Sequence, residues 1–122
     1  MAYPTVSDWD VIRGDSYERR VRYTPAEGVT STDGWGVVMQ VRRDTDAEVW
    51  LEKAPGDGLV LGVEDGKLVV TISIAPQDTR DWGRARWDGR WDLQFTSPTG
   101  RVRTPVGGAF RVFGDVTVVP GE

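Results

Sequence analysis

The stretch "GLVLGVEDGKLVVTISIA", residues 58–75, decides the fold. Asp65-Gly66 stands between two runs rich in β-branched residues, and this dipeptide suits a type I′ turn, in which both central residues take positive φ. The two runs therefore predict an antiparallel hairpin. On its second arm Leu68, Val70, Ile72 and Ile74 share one face, the period of two expected of a strand with one buried side.

The same period extends in both directions. In "WGVVMQVRR" (35–43) Trp35, Val37, Met39 and Val41 fall on one face, and Gly36, Val38, Gln40 and Arg42 on the other. After the turn "DTD", the stretch "AEVWLEKA" alternates Ala47, Val49 and Leu51 with Glu48, Trp50 and Glu52, as a hairpin partner would. Beyond the first hairpin, "PQDTRDWGRARWDG" breaks the alternation with Pro76, Gly83 and Gly89. It reads as a crossover between two sheets, with a short helical turn after Pro76. "RWDLQFTS" then points Trp91, Leu93 and Phe95 inward, "PTG" turns the chain, "RVRTPV" returns, and "AFRVFGDVTVV" closes with Phe110, Val112, Val116 and Val118 on one face. Upstream, "DWDVI" and "YERRVRYT" flank a turn at Arg13-Gly14-Asp15. No window longer than about ten residues keeps a helical period. The reading is all-β: an antiparallel immunoglobulin-like β-sandwich of eight or nine short strands, one domain over residues 1–122. Its expected core is Trp35, Val37, Met39, Val41, Leu68, Val70, Ile72, Trp91, Leu93, Phe95, Phe110 and Val112.

Composition narrows the function. The chain has neither cysteine nor histidine, so disulfides, thiolate chemistry and the commonest metal ligand and general base are all excluded. A net charge of -4 argues against sequence-independent nucleic-acid binding, which needs surplus cations to displace counterions from phosphates. No run approaches eighteen apolar residues, and "MAYPTVSDWD" has neither the basic flank nor the apolar stretch of a signal peptide, so the expectation is a soluble product with no membrane partner. The chain begins at Met1 and ends shortly after its last predicted strand, as a stand-alone assembly subunit would.

Arg13-Gly14-Asp15-Ser16 would be flagged as an integrin-binding loop. With thirteen Arg, fifteen Gly and thirteen Asp, random order alone places such a tripeptide in roughly one chain of six. A turn, with glycine for positive φ, explains it more simply. Asp44, Asp46 and Glu48 have the alternating spacing of a calcium loop but lack its glycine and distal glutamate, so local backbone bonding is preferred there. No acid stands in an apolar setting that would raise its pKa, and an enzyme is not expected. No cofactor is expected either. Six tryptophans remain to be explained. Trp50, Trp82 and Trp87 fall on polar faces or in the crossover, where Arg80, Arg84, Arg86 and Arg90 interleave with them and Asp78, Asp81 and Asp88 cancel most of the charge. Tryptophan and arginine are enriched in interface hot spots. Trp82, Arg84, Arg86, Trp87 and Trp50 are therefore the candidate protein-contact residues, with sugar stacking on exposed indoles as the rival.

Taken in order, "VIRGDSYERRVRY", "GWGVVMQVRR", "GKLVVTISIAPQDT" and "GRWDLQFTSPTGRVRTPVGGAFRVFGDVT" resemble small β-sandwich proteins of tailed bacteriophages. These are the minor tail and lower tail fibre group of actinobacterial siphophages and the N-terminal domain of phage baseplate upper proteins. The resemblance covers nearly the whole chain, but "STDGW" (31–35) keeps only the Gly-Trp end of the family's usual lead into the second strand, and the crossover is richer in Arg and Trp. It implies a turn at Gly14-Asp15 that opens the first hairpin, with Arg13 incidental. It further implies a non-enzymatic structural protein of the virion at the tail tip or baseplate, made in the host cytoplasm, whose partners are other virion proteins or further copies of itself. A carbohydrate-binding adhesin module touching a host glycan and a capsid decoration protein are the alternatives.

Overall fold

The computed structural model describes residues 3–43, 48–83 and 86–114. Asp44, Asp46, Arg84, Val116 and Val118 lie outside the described residues. The described elements, in chain order, are β1 (Thr5–Val6), β2 (Trp9–Ile12), β3 (Tyr17–Tyr23), β4 (Gly36–Arg42), β5 (Val49–Pro55), β6 (Gly58–Glu64), β7 (Lys67–Ile74), α1 (Pro76–Arg80), β8 (Trp87–Thr96) and β9 (Val102–Phe113).

The Asp65-Gly66 hairpin forms as its residues dictate. Both turn residues have positive φ, 51° and 75°, and β6 pairs with β7 antiparallel from Leu59↔Ile72 to Glu64↔Lys67. β3 adds to the far edge of β7, antiparallel, which makes a back layer β6-β7-β3. The front layer is β9-β8-β4-β5, antiparallel throughout. β5 belongs to both layers, because its last residues, Ala54 and Pro55, meet Gly58 and Leu59 of β6. The order β3-β7-β6 opposite β9-β8-β4 is the strand arrangement of an immunoglobulin-like sandwich.

Alternation carries the core. Of the twelve residues expected inside, all are buried except Trp35, which is half-buried and packs against the core edge. Trp9, Val11, Val29, Leu59, Ile74 and Val106 complete it. Trp9 meets Trp91 edge-on and Phe110 at a tilt, each with ring centroids 6.0 Å apart. Tyr23 of the back layer reaches Phe95 of the front at 4.8 Å. The buried Trp91 indole keeps its donor satisfied, giving Nε1–H to the Ser7 carbonyl at 2.7 Å. On the outer side of the back layer, the Arg20–Glu64 ion pair runs from β3 to β6 across β7. Val69 lies beneath it and is buried on an otherwise solvent-facing side.

Three expectations need correction. First, the Gly14-Asp15 turn does not open a hairpin. β2 lies parallel to β9, Trp9 beside Phe110 and Val11 beside Val112, while β3 pairs with β7. The apolar face of β2 is used in the front layer, so the turn carries the chain from one layer to the other. Gly14 has φ +82°, and the Asp15 N–H donates to the Ile12 carbonyl at 3.0 Å. β1 also runs parallel to β9, so the pairing is not wholly antiparallel. Secondly, Arg13 is not incidental: it donates to the Arg80 carbonyl at the end of α1, 2.9 Å away, and the neighbouring Gly14 N–H donates to Thr79 Oγ1 at 2.9 Å. A guanidinium engaged in the fold is poorly placed to serve as a recognition loop.

Thirdly, Trp50 is not on the polar face of its strand. Val41 pairs with Leu51 and Arg42 with Val49, which leaves Trp50 as an extra residue in a β-bulge, a device that re-aims a side chain. Its ring swings over β8, where Gly89 leaves room for it. A Cβ built on Gly89 would fall 2.5 Å from the ring and 2.6 Å from the Arg42 carbonyl. A second bulge sets Thr104 and Pro105 opposite Gln94, between the pairs Leu93↔Val106 and Phe95↔Arg103. A proline, with no N–H for a ladder, is tolerated at such a break.

The short helix is tied to its surroundings at several points. Pro76 starts it, and the Asp78 carboxylate accepts the Ala75 N–H at 2.7 Å. Asp78 also holds Lys53 Nζ at 2.6 Å, in a pair whose side chains are 6% and 14% exposed. Room for the lysine stem comes from Gly58, at φ +91°, where a Cβ would fall 2.3 Å from Lys53 Cδ.

Gly89→Ala tests the bulge. It should displace the Trp50 ring and destabilise the domain by about 1–3 kcal/mol in urea unfolding, with a red shift of tryptophan emission. Unchanged stability and emission would contradict the packing of Trp50 on Gly89.

Candidate functional site

The bulge and the crossover bring three of the six tryptophans to one end of the front layer. Trp50 comes from β5, Trp82 from the turn after α1, where its N–H donates to the Thr79 carbonyl at 3.1 Å, and Trp87 from the first residue of β8. Ring centroids lie 5.7 Å apart for Trp50–Trp82, 4.7 Å for Trp50–Trp87 and 5.1 Å for Trp82–Trp87, with interplanar angles of 68°, 82° and 46°. Trp82 continues inward to Phe110 at 6.4 Å. Edge-to-face and tilted contacts of this kind are the favourable geometries for aromatic quadrupoles.

The triad frames a cavity of about 460 Å³ whose polar lining is Arg43, Glu48, Arg86 and Asp88. Arg86 lies over the Phe113 ring at 4.8 Å and donates through Nε to Asp88 Oδ1 at 3.0 Å. Both of these charged side chains are more than half exposed, so the pair is a weak one and free to exchange partners. Of the five predicted contact residues, Trp50, Trp82, Arg86 and Trp87 are thus gathered round one concavity. Arg84 lies outside the described residues.

A protein-contact segment rich in tryptophan would be expected to show a sizeable exposed apolar patch, and these three indoles do not form one. All three indoles are half-buried and packed against the hydrophobic core, because the bulge turns Trp50 inward and the helix sets Trp82 above Phe110. Among the described residues, the large apolar side chains that stand most exposed are Val6, Ile12, Val49, Val60 and Val102, none of which lines the cavity. The tryptophans close this end of the sandwich and show their remaining surface to the cavity.

The acidic residues divide in two. Asp8 and Asp10 are engaged at the β2–β9 seam, where Asp8 Oδ1 accepts the Ala109 N–H at 3.0 Å and Asp10 Oδ1 accepts from Arg111 Nε at 2.7 Å. Arg19 lies 3.9 Å over the Trp9 ring at the same seam and donates to Ser7 Oγ and the Asp8 carbonyl. Asp92 overturns the expectation that no acid is raised. Burial pushes its carboxyl above the usual value, against the opposing pull of Tyr3's hydrogen bond and the charge of Arg42. Tyr3 sits on Gly107, where a Cβ would come within 2.6 Å of its ring, and its hydroxyl donates to Asp92 Oδ2 at 3.4 Å. Burial also raises the phenol's pKa, with the Asp92 charge second. These two line a shallow cavity of about 230 Å³ with Gln40, Arg42, Arg90, Trp91 and Gln94. Alternation could not reveal Asp92, because its burial depends on Tyr3 folding back from the other end of the chain. Among the described residues, the lining of this cavity holds no second carboxylate. Among the described residues no group of three or more His, Cys, Asp or Glu side chains could hold a metal ion, and no helix is long and apolar enough to cross a membrane.

No family model matches the chain, and no curated protein does. Solved structures of similar fold include a voltage-gated sodium channel beta subunit, from a photo-crosslinking analysis of its multimeric cell-adhesive interactions. It is 12% identical over 92% of this chain and 92% of that one, with a TM-score of 0.45. Another is the extracellular domain of the voltage-gated sodium channel beta4 subunit, a parallel homodimer described with its role in cell–cell adhesion. It is 10% identical over 95% of this chain and 98% of that one, with a TM-score of 0.47.

The raised Asp92 has a consequence for stability. Folding lifts its pKa, so the folded state holds the proton more tightly than the unfolded one, and the ionised carboxylate costs stability at neutral pH. That cost is absent below the ordinary value of 3.8 and sets in as pH rises through the folded value. Asp92→Asn should therefore melt at a higher temperature than the wild type near pH 7, with the gap closing toward about pH 3. A gap independent of pH, or of the opposite sign, would contradict the burial of this carboxylate.

Proposed function

We propose that this chain is a non-enzymatic structural subunit that binds other proteins through the tryptophan-lined end of its front layer, in the tail tip or baseplate of a tailed bacteriophage. The observation that carries the contact reading is the meeting of Trp50, Trp82 and Trp87 round a concavity edged by Arg43, Glu48, Arg86 and Asp88. Large aromatic rings fixed by packing present contact area at little entropic cost, and guanidiniums beside them supply bidentate pairing to carboxylates. The cavity suits an apolar anchor flanked by acidic side chains. With neither histidine nor cysteine in the chain, a binding role is favoured over a catalytic one. The phage setting is supported by the motif order from "VIRGDSYERRVRY" to the closing "GDVT".

A sugar partner is less well served. The indoles meet edge to face, so neighbouring rings occupy faces on which a pyranose would stack.

Arg86→Glu provides the test, because Arg86 is exposed and its loss leaves the core untouched. The melting temperature should stay within about 2 °C of the wild type, while incorporation into phage particles, measured by mass spectrometry of purified virions, should fall at least about tenfold, a change of roughly 1.4 kcal/mol. Normal incorporation would overturn the contact site. Absence of the wild-type chain from purified particles would overturn the phage setting, and binding to a glycan array that is lost with Arg86→Glu would favour the adhesin.

A further inference from the structure

β3 is the outermost strand of the back layer, and among the described residues it pairs only with β7. Its sequence, Tyr17-Glu18-Arg19-Arg20-Val21-Arg22-Tyr23, is close to self-complementary about Arg20. Tyrosines stand at both ends. Glu18 and Arg22 sit two residues either side of the centre, both on the outer face and both exposed, and neither has an ionic partner among the described residues. Tyr17, Val21 and Tyr23 lie on the inner face, packed against the core.

We infer that β3 is a dimerisation edge, and that its occupant is β3 of a second copy of this chain, paired antiparallel about a two-fold axis at Arg20. In that register Glu18 stands opposite Arg22 of the other copy, and Arg22 opposite its Glu18. Each inner tyrosine meets the tyrosine from the other end of its partner strand, and Arg19 faces Val21. Directly opposed unlike charges and aromatic pairs are the contacts that stabilise antiparallel strands. The two central Arg20 side chains face each other, but each already carries its own counterion in Glu64. Shifting the register by two residues in one direction sets Arg20 against Arg22, a like-charge pair, and in either direction shortens the ladder. Charged residues on an edge strand ordinarily block pairing. Here they are ordered so that a second copy in one register satisfies them. The result is a continuous six-stranded back sheet with an isologous interface, built on a strand that lines no part of the tryptophan cavity.

Sedimentation of the purified protein tests this. The mass should rise from 13.5 kDa toward twice that value over about 10 μM to 1 mM, since a single strand pair is a small interface. Glu18→Arg alone and Arg22→Glu alone should each weaken self-association at least about tenfold. The Glu18→Arg/Arg22→Glu double variant should restore it. An equimolar mixture of the two single variants should form a heterodimer, because every opposed pair then becomes Arg with Glu. Arg86→Glu should dimerise like the wild type. A wild type that stays at 13.5 kDa throughout, single variants that associate as strongly as the wild type, or a mixture that stays monomeric would each overturn the proposal. Dimerisation abolished by Arg86→Glu would instead assign self-association to the tryptophan end.

Discussion

The ammonium of Lys53 and the carboxylate of Asp78, 2.6 Å apart and almost wholly out of water, form the contact on which the rest of the molecule is arranged. Lys53 lies on β5, the strand that passes from the front layer to the back. Asp78 lies on α1, the helix that brings the chain from the back layer to the front. One ion pair therefore joins two of the places where the chain changes layer. Burying a charge costs several kcal/mol unless its partner stays in place, so the crossover cannot move away from the end of β5 without exposing or stranding one of them. Asp78 also accepts the Ala75 N–H, and Thr79 and Arg80 accept from the turn between β2 and β3. A helix of five residues, too short to stand alone, thus anchors three connections.

The candidate site hangs from the same helix. Trp82 leaves the C-terminal end of α1 and lands above Phe110, where Trp50 and Trp87 meet it. Antibody-type domains tie their two layers with a disulfide; this chain has no cysteine. Its layers are held instead by contacts across the core, Tyr23 with Phe95 and Arg19 over Trp9, and by the tethered helix. The tryptophans at this end both close the core and line a cavity, so the rigidity that binding needs comes from the same packing that gives stability.

How much of this could be read from the chain depends on what each residue's role requires. Asp65-Gly66 and the alternation through Leu68–Ile74, Val37–Val41 and Trp91–Phe95 announce their strands, because a strand buried on one side repeats every two residues whatever its neighbours are. Alternation gives a face but no partner, which is why the pairing of β2 with β9 and the layer change at Gly14 were not legible. Trp50 follows the period onto the polar side, and only the extra residue opposite Val41 and Arg42 turns it inward. The candidate contact residues could be chosen by type, since tryptophan and arginine concentrate in the crossover, but their dependence on the core could not. A faint signal for Lys53 did exist: it is one of only two lysines in a chain with thirteen arginines, and it sits beside a Pro-Gly-Asp-Gly turn whose second glycine makes room for its stem. Asp92 carried no signal at all.

A double-mutant cycle on Lys53→Met and Asp78→Asn, monitored by urea unfolding, tests the central role of this pair most directly. Methionine keeps most of the lysine stem, and asparagine keeps an acceptor for Ala75. If the buried pair holds the layer changes together, each single substitution should cost about 3–5 kcal/mol by stranding a charge. The double variant should cost far less than their sum, and tryptophan emission should shift in both singles. Single effects that are small and add to within about 0.5 kcal/mol, with emission unchanged, would show that the sandwich and its tryptophan end are held by other contacts.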